Sequence, residues 1–478
     1  FLRPGLSASH LRVFRLSSAT ALNIFEVAMS PGAVAGSRAE ELADRDAVRR
    51  LLQRLGLGPR PGELDRAVAA GFAATLEGLI HPPGVDAGLV STPVPVFGLE
   101  PSAPGAKPGS PQRRAVNQQI AVRATELQAW WVDRMAAVDA PLPERLTWLW
   151  HGHFATAIGK VRSAPMMLAQ NETFRRLGAG DFRELARALI VDPAMLVWLD
   201  GAQNRKGRPN ENLARESMEL FTLGVGNYTE TDVRQAARAL TGWRVNRVTG
   251  TASLLAAQHD PGPQTILGTT ASLDATGFAD LVVARPESAE FIATRMWTRF
   301  ASTTPPDHAT LTALTAAYGP QRDITALLRA IATSPGFRDP AAVLVRQPVE
   351  WVVATLRALR LRPSALPAPT QRALRAGLTQ LGQVPFDPPN VGGWPSGTAW
   401  LTTAAAAARL TLAQALTPHA DLSTVTAAPR PARVDATAAL VGLSTLSDRT
   451  RAALDELTAD PPQLVALALA SPENVVSG

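Results

Sequence analysis

Apolar side chains recur along most of this chain at intervals of three and four residues. Residues 40–55 show the pattern at Ala47, Leu51 and Leu55, and Gly56 follows the last of them. Because positions three and four apart share one face of an α-helix, this spacing predicts helices that each bury one side. Further segments with the same spacing lie at 62–70, 72–80, 112–138, 181–190, 193–199, 278–284, 286–300, 308–317, 324–333, 348–361 and 402–416.

The stretches between these segments are rich in proline and glycine. Residues 82–111 and 382–400 are predicted to be long loops, because proline and glycine end helices and favour turns. Residues 244–255 alternate weakly between apolar and polar side chains, which allows a short β-hairpin. The chain is therefore predicted to be mainly α, a multi-helical globular body with long Pro/Gly-rich loops and at most a short hairpin.

The same pattern divides the chain into segments. A helical main domain is predicted at residues 40–416, a linker at 417–435 and a small helical C-terminal appendage at 436–478. Residues 1–39 are predicted to be disordered or signal-like, since three arginines precede a modest apolar run that Asn23 interrupts. Export is therefore an expectation with a weak signal behind it. No stretch reaches the ~20 uninterrupted apolar residues of a transmembrane helix.

Composition supports a folded chain and removes several kinds of chemistry. Hydrophobic residues make up 46% of the 478 residues and charged residues 18%, which is enough apolar material for a sizeable core. The absence of cysteine excludes disulfides, thiolate zinc sites and cysteine nucleophiles. The sequence also has no Gly-rich phosphate loop with lysine, no G-x-S-x-G motif and no H-E-x-x-H motif.

The basic residues are unusual in kind but not in arrangement. The net charge is +6, and of the 47 basic residues only Lys107, Lys160 and Lys206 are lysines. The arginines are scattered along the chain, often near Glu or Asp, and no basic run alternates with aromatic residues. Such a ratio, with abundant alanine and 39 prolines, is typical of a codon-composition bias. We therefore expect no nucleic-acid binding.

The densest group of polar side chains follows Pro209. Proline is well placed in the first turn of a helix, so a helix is predicted to begin there. Successive side chains of a helix are rotated by about 100°, which places five polar ones on a face about 140° wide. These five are Glu211, Asn212, Arg215, Glu216 and Glu219.

Two functions and one structural role suit this acidic face. Crowded carboxylates raise the pKa of at least one of them, which leaves a protonated acid beside an ionised base for general acid/base catalysis. Carboxylate oxygens also bind divalent cations. The structural alternative is a solvated helix face held by Glu211–Arg215 and Arg215–Glu219 ion pairs, and the pattern alone favours it.

A second candidate is the motif His151-Gly152-His153, which stands between aromatic residues in a chain with seven histidines. On a strand the two imidazoles would face one way, as metal ligands often do, whereas on a helix they would diverge by about 200°. The functional interpretation is that they relay protons or hold a divalent metal. The structural interpretation is one buried histidine and one that caps the end of a helix.

Two rigid loops carry further polar candidates. Asp260 lies in a His-Asp-Pro-Gly-Pro turn, and Asp387, Asn390 and Trp394 lie in the loop before residue 400. Such loops can hold side chains in a fixed pose, although Pro, Gly, Asn and Asp are also the ordinary residues of turns. The predicted substrate-binding residues are these four together with Asn210, Asn212 and Arg215.

Several uncommon motifs occur together in one order. The first is His151-Gly152-His153-Phe154, and the last runs from Pro388 to Pro395 and contains Gly-Gly-Trp. Between them stand the motifs that begin at Pro209, Glu219, Leu240 and Asp260. In this combination the chain resembles the bacterial family called domain of unknown function 1800, over about residues 47–416. Ser217 departs from the family pattern, in which an aliphatic residue is expected at that position.

The resemblance implies a predominantly helical body and little about mechanism. Members of the family are often exported, and their genes often lie beside those of a second family, domain of unknown function 1501, which resembles sulfatases. The product of such a neighbouring gene is therefore an expected partner. Envelope or extracellular polymers are the substrate class that this implies.

The leading hypothesis is an enzyme of hydrolase or lyase type that acts on a polar, glycan-like substrate. Glu211 or Glu216 would be the general acid/base, with Glu219 as its charged neighbour. Arg215 would orient an anionic group, and His151 and His153 would relay protons or hold a divalent metal. The alternative is a non-catalytic binding or assembly protein whose polar cluster is structural or binds an ion. Both hypotheses assume that the acidic face and the two histidines share one enclosed pocket.

Overall fold

The computed structural model describes residues 37–477, with side chains from residue 44 onward. The predicted signal-like segment at 1–39 lies outside this range apart from the first residues of α1. Within the range there are 25 α-helices. In chain order they are α1 Ser37–Arg50, α2 Glu63–Ala70, α3 Phe72–Ile80, α4 Ala87–Val90, α5 Pro111–Ala137, α6 Pro141–His153, α7 Ile158–Val161, α8 Ala164–Leu177, α9 Phe182–Ile190, α10 Pro193–Trp198, α11 Asn212–Glu216, α12 Glu230–Ala239, α13 Ala275–Ala284, α14 Pro286–Phe300, α15 His308–Tyr318, α16 Ile324–Thr333, α17 Pro335–Arg338, α18 Pro348–Ala358, α19 Ala368–Gln380, α20 Thr403–Leu416, α21 Ser423–Thr426, α22 Arg433–Val441, α23 Asp448–Asp455, α24 Pro461–Leu469 and α25 Pro472–Val475.

Strands are few and short in the described residues, which confirms the mainly α class. The predicted hairpin at 244–255 is present as the antiparallel pair β1 Trp243–Asn246 and β2 Thr251–Leu254. Two further antiparallel pairs have strands of only two or three residues, too short for an alternating pattern to predict them. They are β3 Gln264–Ile266 with β4 Thr269–Ala271, and β5 Leu344–Val345 with β6 Val476–Ser477.

Two large apolar clusters hold the helices together, and α6 contributes to both. Leu149 and Trp150 of α6 pack in the first cluster, which also contains side chains of α9, α13 and α16. Trp148 of α6 packs in the second cluster with Trp131 of α5 and Trp351 of α18. Because α6 is fixed on two sides, the side chains at its end are held in rigid surroundings.

The C-terminal part of the chain packs on this body. Residues 417–435, predicted to be a linker, contain α21 and two short 3-10 turns, and Val425 and Val434 are fully buried in the second cluster. Helix α24 packs against α20. Strand β6 pairs with β5, so the end of the described chain lies beside the residues that precede α18.

The segment after Pro209 differs from the predicted helix. Asn204 accepts a hydrogen bond from the backbone N–H of Asn210 at 2.9 Å, and Asn210 accepts one from the backbone N–H of Asn212 at 3.0 Å. Asparagine side chains that bind nearby backbone in this way compete with helix formation, so α11 begins only at Asn212. After Glu216 the chain continues as a π-helix, Ser217–Thr222, which is wider than an α-helix and changes the predicted alignment of Glu219.

Membrane-spanning helices are not part of the described fold: from residue 37 to residue 477 none is both long and apolar enough to cross a bilayer.

Asp192 is a buried carboxyl that should make stability depend on pH. It caps α10 by accepting from the Met195 N–H at 2.9 Å and also accepts from Gln170 at 2.7 Å, yet burial raises the pKa of Asp192 to about 7. A raised pKa contributes stability below the unfolded pKa of about 3.9, and this contribution is lost as the pH rises to the folded value. Asp192→Asn cannot ionise. Urea unfolding should therefore show that the wild type loses about 2–3 kcal/mol relative to the variant between pH 5 and pH 9; a constant difference would contradict this.

Candidate functional site

A cleft of about 160 Å³ lies between α6, α14, the start of α18 and the loop before residue 400. Its lining is dominated by arginine, and Glu350 is the one carboxylate among the described residues that line it. The lining arginines are Arg54, Arg145, Arg295, Arg299 and Arg346. The polar and aromatic side chains beside them include Gln53, Trp148, His153, Gln347 and Trp394. We call this site the arginine cleft.

Helical periodicity brings the side chains of α6 and α14 to this cleft. Arg145, Trp148 and Gly152 on α6 are spaced by three and four residues, and Arg295 and Arg299 on α14 are spaced by four. Side chains at these spacings lie on one face of a helix. Each helix therefore turns one face toward the cleft, while its other side chains pack in the core.

Glu350 joins two of the arginines. Its carboxylate contacts the guanidinium groups of both Arg145 and Arg299, and its other oxygen accepts the backbone N–H of Gln347 at 3.2 Å. Burial raises the pKa of Glu350, but the two arginines outweigh burial, so the pKa lies below its ordinary value. The carboxylate is therefore ionised, and its single negative charge is shared by two positive ones.

Arg54 and Arg346 are held by neutral acceptors. Arg54 donates to the backbone oxygens of Ala301 at 2.7 Å and Ser477 at 2.8 Å, and Arg346 donates to the side-chain oxygen of Asn474 at 2.8 Å. Such oxygens satisfy the donors but carry no negative charge, and for Arg346 the charge of Glu350 offsets only part of the effect of burial. Burial, together with neighbouring arginines, lowers the pKa of each guanidinium to about 9.

The side chain of Arg295 has no ion-pair or hydrogen-bond partner among the described residues. Its side chain is exposed to solvent in the cleft, and the protein atoms around it lower its pKa through burial alone. A guanidinium carries five N–H donors in a planar fork. Arg295 therefore offers the cleft a complete and unused set of donors.

His153 lines the cleft and has a buried ring nitrogen without a partner among the described residues. It is 2% exposed, and its Nε2 lies 3.0 Å from the backbone oxygen of Phe221. Because a carbonyl oxygen only accepts, Nε2 must carry the proton. Nδ1 is then an acceptor, and it has no hydrogen-bond partner in the part of the chain that the structure describes. Burial and the charge of Arg295 lower the pKa of His153 to about 3, so the imidazole is neutral at pH 7.

His151 is structural and does not line the cleft. Its Nε2 accepts the backbone N–H of Phe386 at 3.0 Å, and its ring packs against Trp131 and Phe386. Phe386 has a φ of 64°, in the left-handed region, and this hydrogen bond helps to hold it there. Burial lowers the pKa of His151 to about 3.

The two histidines face different parts of the protein. They contact different neighbours, Phe386 for His151 and Phe221 for His153, as expected for positions two apart on a helix. No group of three or more His, Cys, Asp or Glu side chains in the described range could hold a metal ion. The predicted use of both histidines as metal ligands is therefore not supported by a third ligand.

Two indole rings form an aromatic wall of the cleft. Trp148 and Trp394 are stacked, with ring centroids 5.0 Å apart and planes at 25°. The Nε1 of Trp148 donates to Gln347 at 3.3 Å, whereas the Nε1 of Trp394 is buried without a partner among the described residues. Trp394 is thus a second side chain of the cleft with an unused polar atom.

The loop that carries Trp394 is held close to α6 by glycine. Gly393 has a φ of 81°, and a Cβ added there would lie 2.3 Å from the backbone oxygen of Gly152. Asn390 shapes the same loop, since its side-chain oxygen accepts the Gly392 N–H at 2.9 Å. Asn390 is therefore a residue that positions the loop, and it does not itself line the arginine cleft.

The acidic face lies apart from this cleft. Arg215 forms ion pairs with Glu230 at 2.7 Å and with Glu211 at 3.2 Å on a partly exposed surface. The Glu211–Arg215 pair is the one predicted for a solvated face, but the second partner of Arg215 is Glu230 and not Glu219. None of the five acidic-face residues lines the arginine cleft.

Glu216 and Glu219 carry carboxylates that repel each other, and Glu219 has a hydrogen-bond partner. Tyr228 donates its hydroxyl to Glu219. Burial, with repulsion from Glu219, raises the pKa of Glu216, as the crowding argument predicts. The catalytic roles of these glutamates stay predictions, because the shared pocket on which they depend is not formed.

The remaining predicted binding residues shape turns or lie elsewhere. Asp260 pairs with Arg238 at 2.8 Å, and this contact lowers its pKa. Asn212 donates to the backbone oxygen of Leu199 at 3.3 Å, and Asn210 caps the turn before α11. Asp387 is exposed, although the protein atoms around its carboxyl raise its pKa through desolvation. Of the residues predicted from the sequence, only His153 and Trp394 line the arginine cleft.

A second cavity, of about 570 Å³, lies between α5 and α19. Its buried carboxylate, Asp133, is satisfied by Arg362 at 2.6 Å and by Ser364 at 3.0 Å. No buried side-chain polar atom of the described residues that line this cavity lacks a partner. The arginine cleft, which contains unmet charges and unmet hydrogen-bonding atoms, is therefore the better candidate for a functional site.

The sequence pattern does not single out the cleft arginines or Glu350. The available signal is a charged residue placed inside an apolar helical run, as with Arg54 between Leu52 and Leu55 or Arg299 beside Phe300. A charge at a buried helical position needs a partner from elsewhere in the fold. That signal is weak in a chain so rich in arginine.

Comparison with known proteins gives one match. No curated protein and no solved structure matches this chain. The family model described as a protein of unknown function, DUF1800, matches residues 50–476, nearly the whole sequence. The chain therefore belongs to the DUF1800 family.

Proposed function

We propose that this protein binds an anionic group in the arginine cleft, a phosphate, sulfate or carboxylate carried by its ligand. The observation that carries the proposal is the count of charges, five arginines and one carboxylate around a cavity of about 160 Å³. A buried charge without a counter-charge is costly. A bound anion would supply that charge, and guanidinium groups bind such oxyanions through paired hydrogen bonds.

The size of the cleft limits what enters it. Pockets that enclose a whole drug-sized ligand measure roughly 300–1,000 Å³, so a cavity of about 160 Å³ holds one anionic group with a few neighbouring atoms. The rest of a larger ligand would extend over the rim. An envelope or extracellular polymer, the substrate class that the family resemblance implies, is compatible with this arrangement if it carries anionic groups.

Acid/base catalysis of hydrolase or lyase type is a second candidate, and the unpaired Nδ1 of His153 favours it. With a pKa of about 3 the free imidazole is a weak base. An anion bound to Arg295 would offset the positive charge that depresses this pKa and make His153 a stronger base. In this proposal His153 takes the role first assigned to Glu211 or Glu216.

Three finer expectations accompany the proposal. A product of the neighbouring domain of unknown function 1501 gene as partner, and export from the cell, follow from the family resemblance alone. A divalent metal stays a prediction.

Binding of anions should stabilise the fold. At a ligand concentration of 100 times Kd, binding adds about 2.7 kcal/mol to the unfolding free energy, which raises Tm by a few degrees. We expect phosphate or sulfate to raise Tm above the value in chloride at equal ionic strength. Arg295→Gln should remove most of the difference, because among the arginines that line the cleft the Arg295 side chain makes no ion pair or hydrogen bond with the described residues.

The control for this experiment is a surface arginine. Arg372 is exposed on α19, and Arg372→Gln should keep the full response to phosphate. Sulfate and phosphate also stabilise proteins non-specifically by exclusion from the surface. Equal responses in the wild type and in both variants would show only this general effect and would refute binding in the cleft.

A further inference from the structure

The hydrogen-bonding state of His153 restricts the ligand that the cleft can take. Its Nε2–H is committed to the backbone oxygen of Phe221 at 3.0 Å, which leaves Nδ1 as an acceptor. No described side chain or backbone group donates to Nδ1, although it is fully buried. Buried polar atoms in native proteins nearly always have a partner. A ligand with a donor at this point would supply it.

The charges around His153 decide which donor is suitable. Arg295 is close enough to depress the imidazole pKa, and Arg299 lies one turn further along the same face of α14. An ammonium donor would be repelled by these positive charges. A neutral hydroxyl would not be repelled, so a hydroxyl is the donor that the cleft can accept.

The aromatic wall carries a hydrogen-bond donor that complements the acceptor on His153. The Nε1–H of Trp394 is buried without an acceptor among the described residues, and an indole N–H only donates. A hydroxyl or ring oxygen of the ligand can accept this hydrogen. The residues that line the cleft therefore carry an unused acceptor, an unused donor and unneutralised positive charge.

From these three features we infer that the ligand is a hydroxylated anion, with a hydroxyl group within a few bonds of its negative charge. Hydroxy acids, sugar acids and sugar phosphates share this chemistry. The inference rests on the anion-binding function proposed above and adds the class of ligand to it. Arg295 binds the anionic group, His153 Nδ1 accepts from the hydroxyl, and Trp394 Nε1 donates to a neighbouring oxygen.

Isothermal titration calorimetry with matched pairs of anions tests this inference on the full chain. Lactate differs from propionate by one hydroxyl, and glycerol phosphate differs from propyl phosphate by two. We expect the hydroxylated member of one pair to bind about tenfold more tightly, which corresponds to about 1.4 kcal/mol. The pair with the tighter hydroxylated member identifies the anionic group as carboxylate or phosphate.

His153→Phe should abolish the preference for the hydroxylated member of the pair. His308→Phe, at an exposed histidine on α15, should keep the preference. Because the loss of the bond to Phe221 could unfold the His153 variant, ¹⁵N NMR of histidine-labelled wild type gives an independent measurement. The resonance of the unprotonated Nδ1 should move with the hydroxylated anion and not with the plain one.

The outcomes separate this inference from the proposed function. If plain and hydroxylated anions bind equally well and the Nδ1 resonance does not move, anion binding stands and the hydroxylated class is overturned. If no anion binds, inorganic phosphate included, the proposed function fails and this inference fails with it.

Discussion

Replacing Glu350 by glutamine is expected to lower the free energy of unfolding by about 3–5 kcal/mol, because it leaves buried arginines without their counter-charge. Glu350 is the carboxylate that contacts both Arg145 and Arg299, and its side chain is 12% exposed. Glutamine keeps the size and one acceptor oxygen but not the negative charge. Urea unfolding at pH 7 measures the loss, and a loss below about 1 kcal/mol would contradict the assignment.

The pH dependence of this loss has a definite sign. The pKa of Glu350 is lowered in the folded protein. Its contribution to stability is therefore complete above the unfolded pKa of about 4.3 and disappears as the pH falls through the lower folded value. The difference between the wild type and Glu350→Gln should shrink on acidification.

Glu144 offers a matched control with a similar environment. It is 1% exposed, and it pairs with Arg134 at 2.8 Å and with Arg175 at 2.6 Å. Glu144→Gln should cost about as much as Glu350→Gln. Only the arginines released by Glu350→Gln line the cleft, so sulfate should restore more stability to Glu350→Gln than to Glu144→Gln. Equal rescue of both variants would argue against the cleft.

Gly393→Ala is expected to destabilise the protein by about 2–5 kcal/mol through two effects. A φ of 81° is unfavourable for alanine, and its Cβ would lie 2.3 Å from the backbone oxygen of Gly152. Since both sides of this contact are backbone, the loop must move away from α6. Trp394 moves with it, so the gain in Tm from phosphate should also fall.

Gly207→Ala separates the two effects. Gly207 has a φ of 78°, but a Cβ there meets nothing within 4 Å. This variant should cost only the backbone term of about 1–2 kcal/mol and keep the response to phosphate. If differential scanning calorimetry shows the same loss for both variants, the close approach of the loop to α6 is not important for stability.

Helices were predictable from this sequence where one apolar face is continuous and the ends are marked. The long helix expected at 112–138 is α5, Pro111–Ala137, with Ser110 as its N-cap. Each of these signals is local, so a single sequence contains it. The prediction that a helix begins at Pro209 was wrong, because nearby asparagine side chains bind backbone N–H groups and so compete with helix formation.

Strand pairings between distant parts of the chain have no comparable signal in the sequence. Strands β5 and β6 have two residues each and are separated by more than 120 positions. Nothing in the alternation of side chains identifies either one, because a strand needs several residues to show its period. This pairing nevertheless places Arg346 in the lining of the cleft and brings Ser477 to Arg54, from which its backbone oxygen accepts a hydrogen bond.

The site was only partly predictable for the same reason. His153 and Trp394 are uncommon residues in distinctive motifs, so the sequence marks them as candidates. The cleft arginines come from four separate segments between Arg54 and Arg346, and each looks like one more scattered arginine. The acidic face had the strongest local pattern, yet its arginine pairs with Glu230 on the surface. The local density of charged residues in the sequence therefore pointed to the acidic face, which lies at the surface. The cleft arginines come together only when the chain folds, so no local pattern marks them.

Anomalous diffraction from crystals soaked in selenate tests the central claim most directly. Selenate is a tetrahedral dianion like sulfate, and its selenium atom can be located without reference to the protein phases. Binding in the arginine cleft predicts a strong peak with oxygens within hydrogen-bonding distance of the Arg295 guanidinium, and no such peak in Arg295→Gln crystals. Peaks found only at exposed arginines outside the cleft would contradict the account.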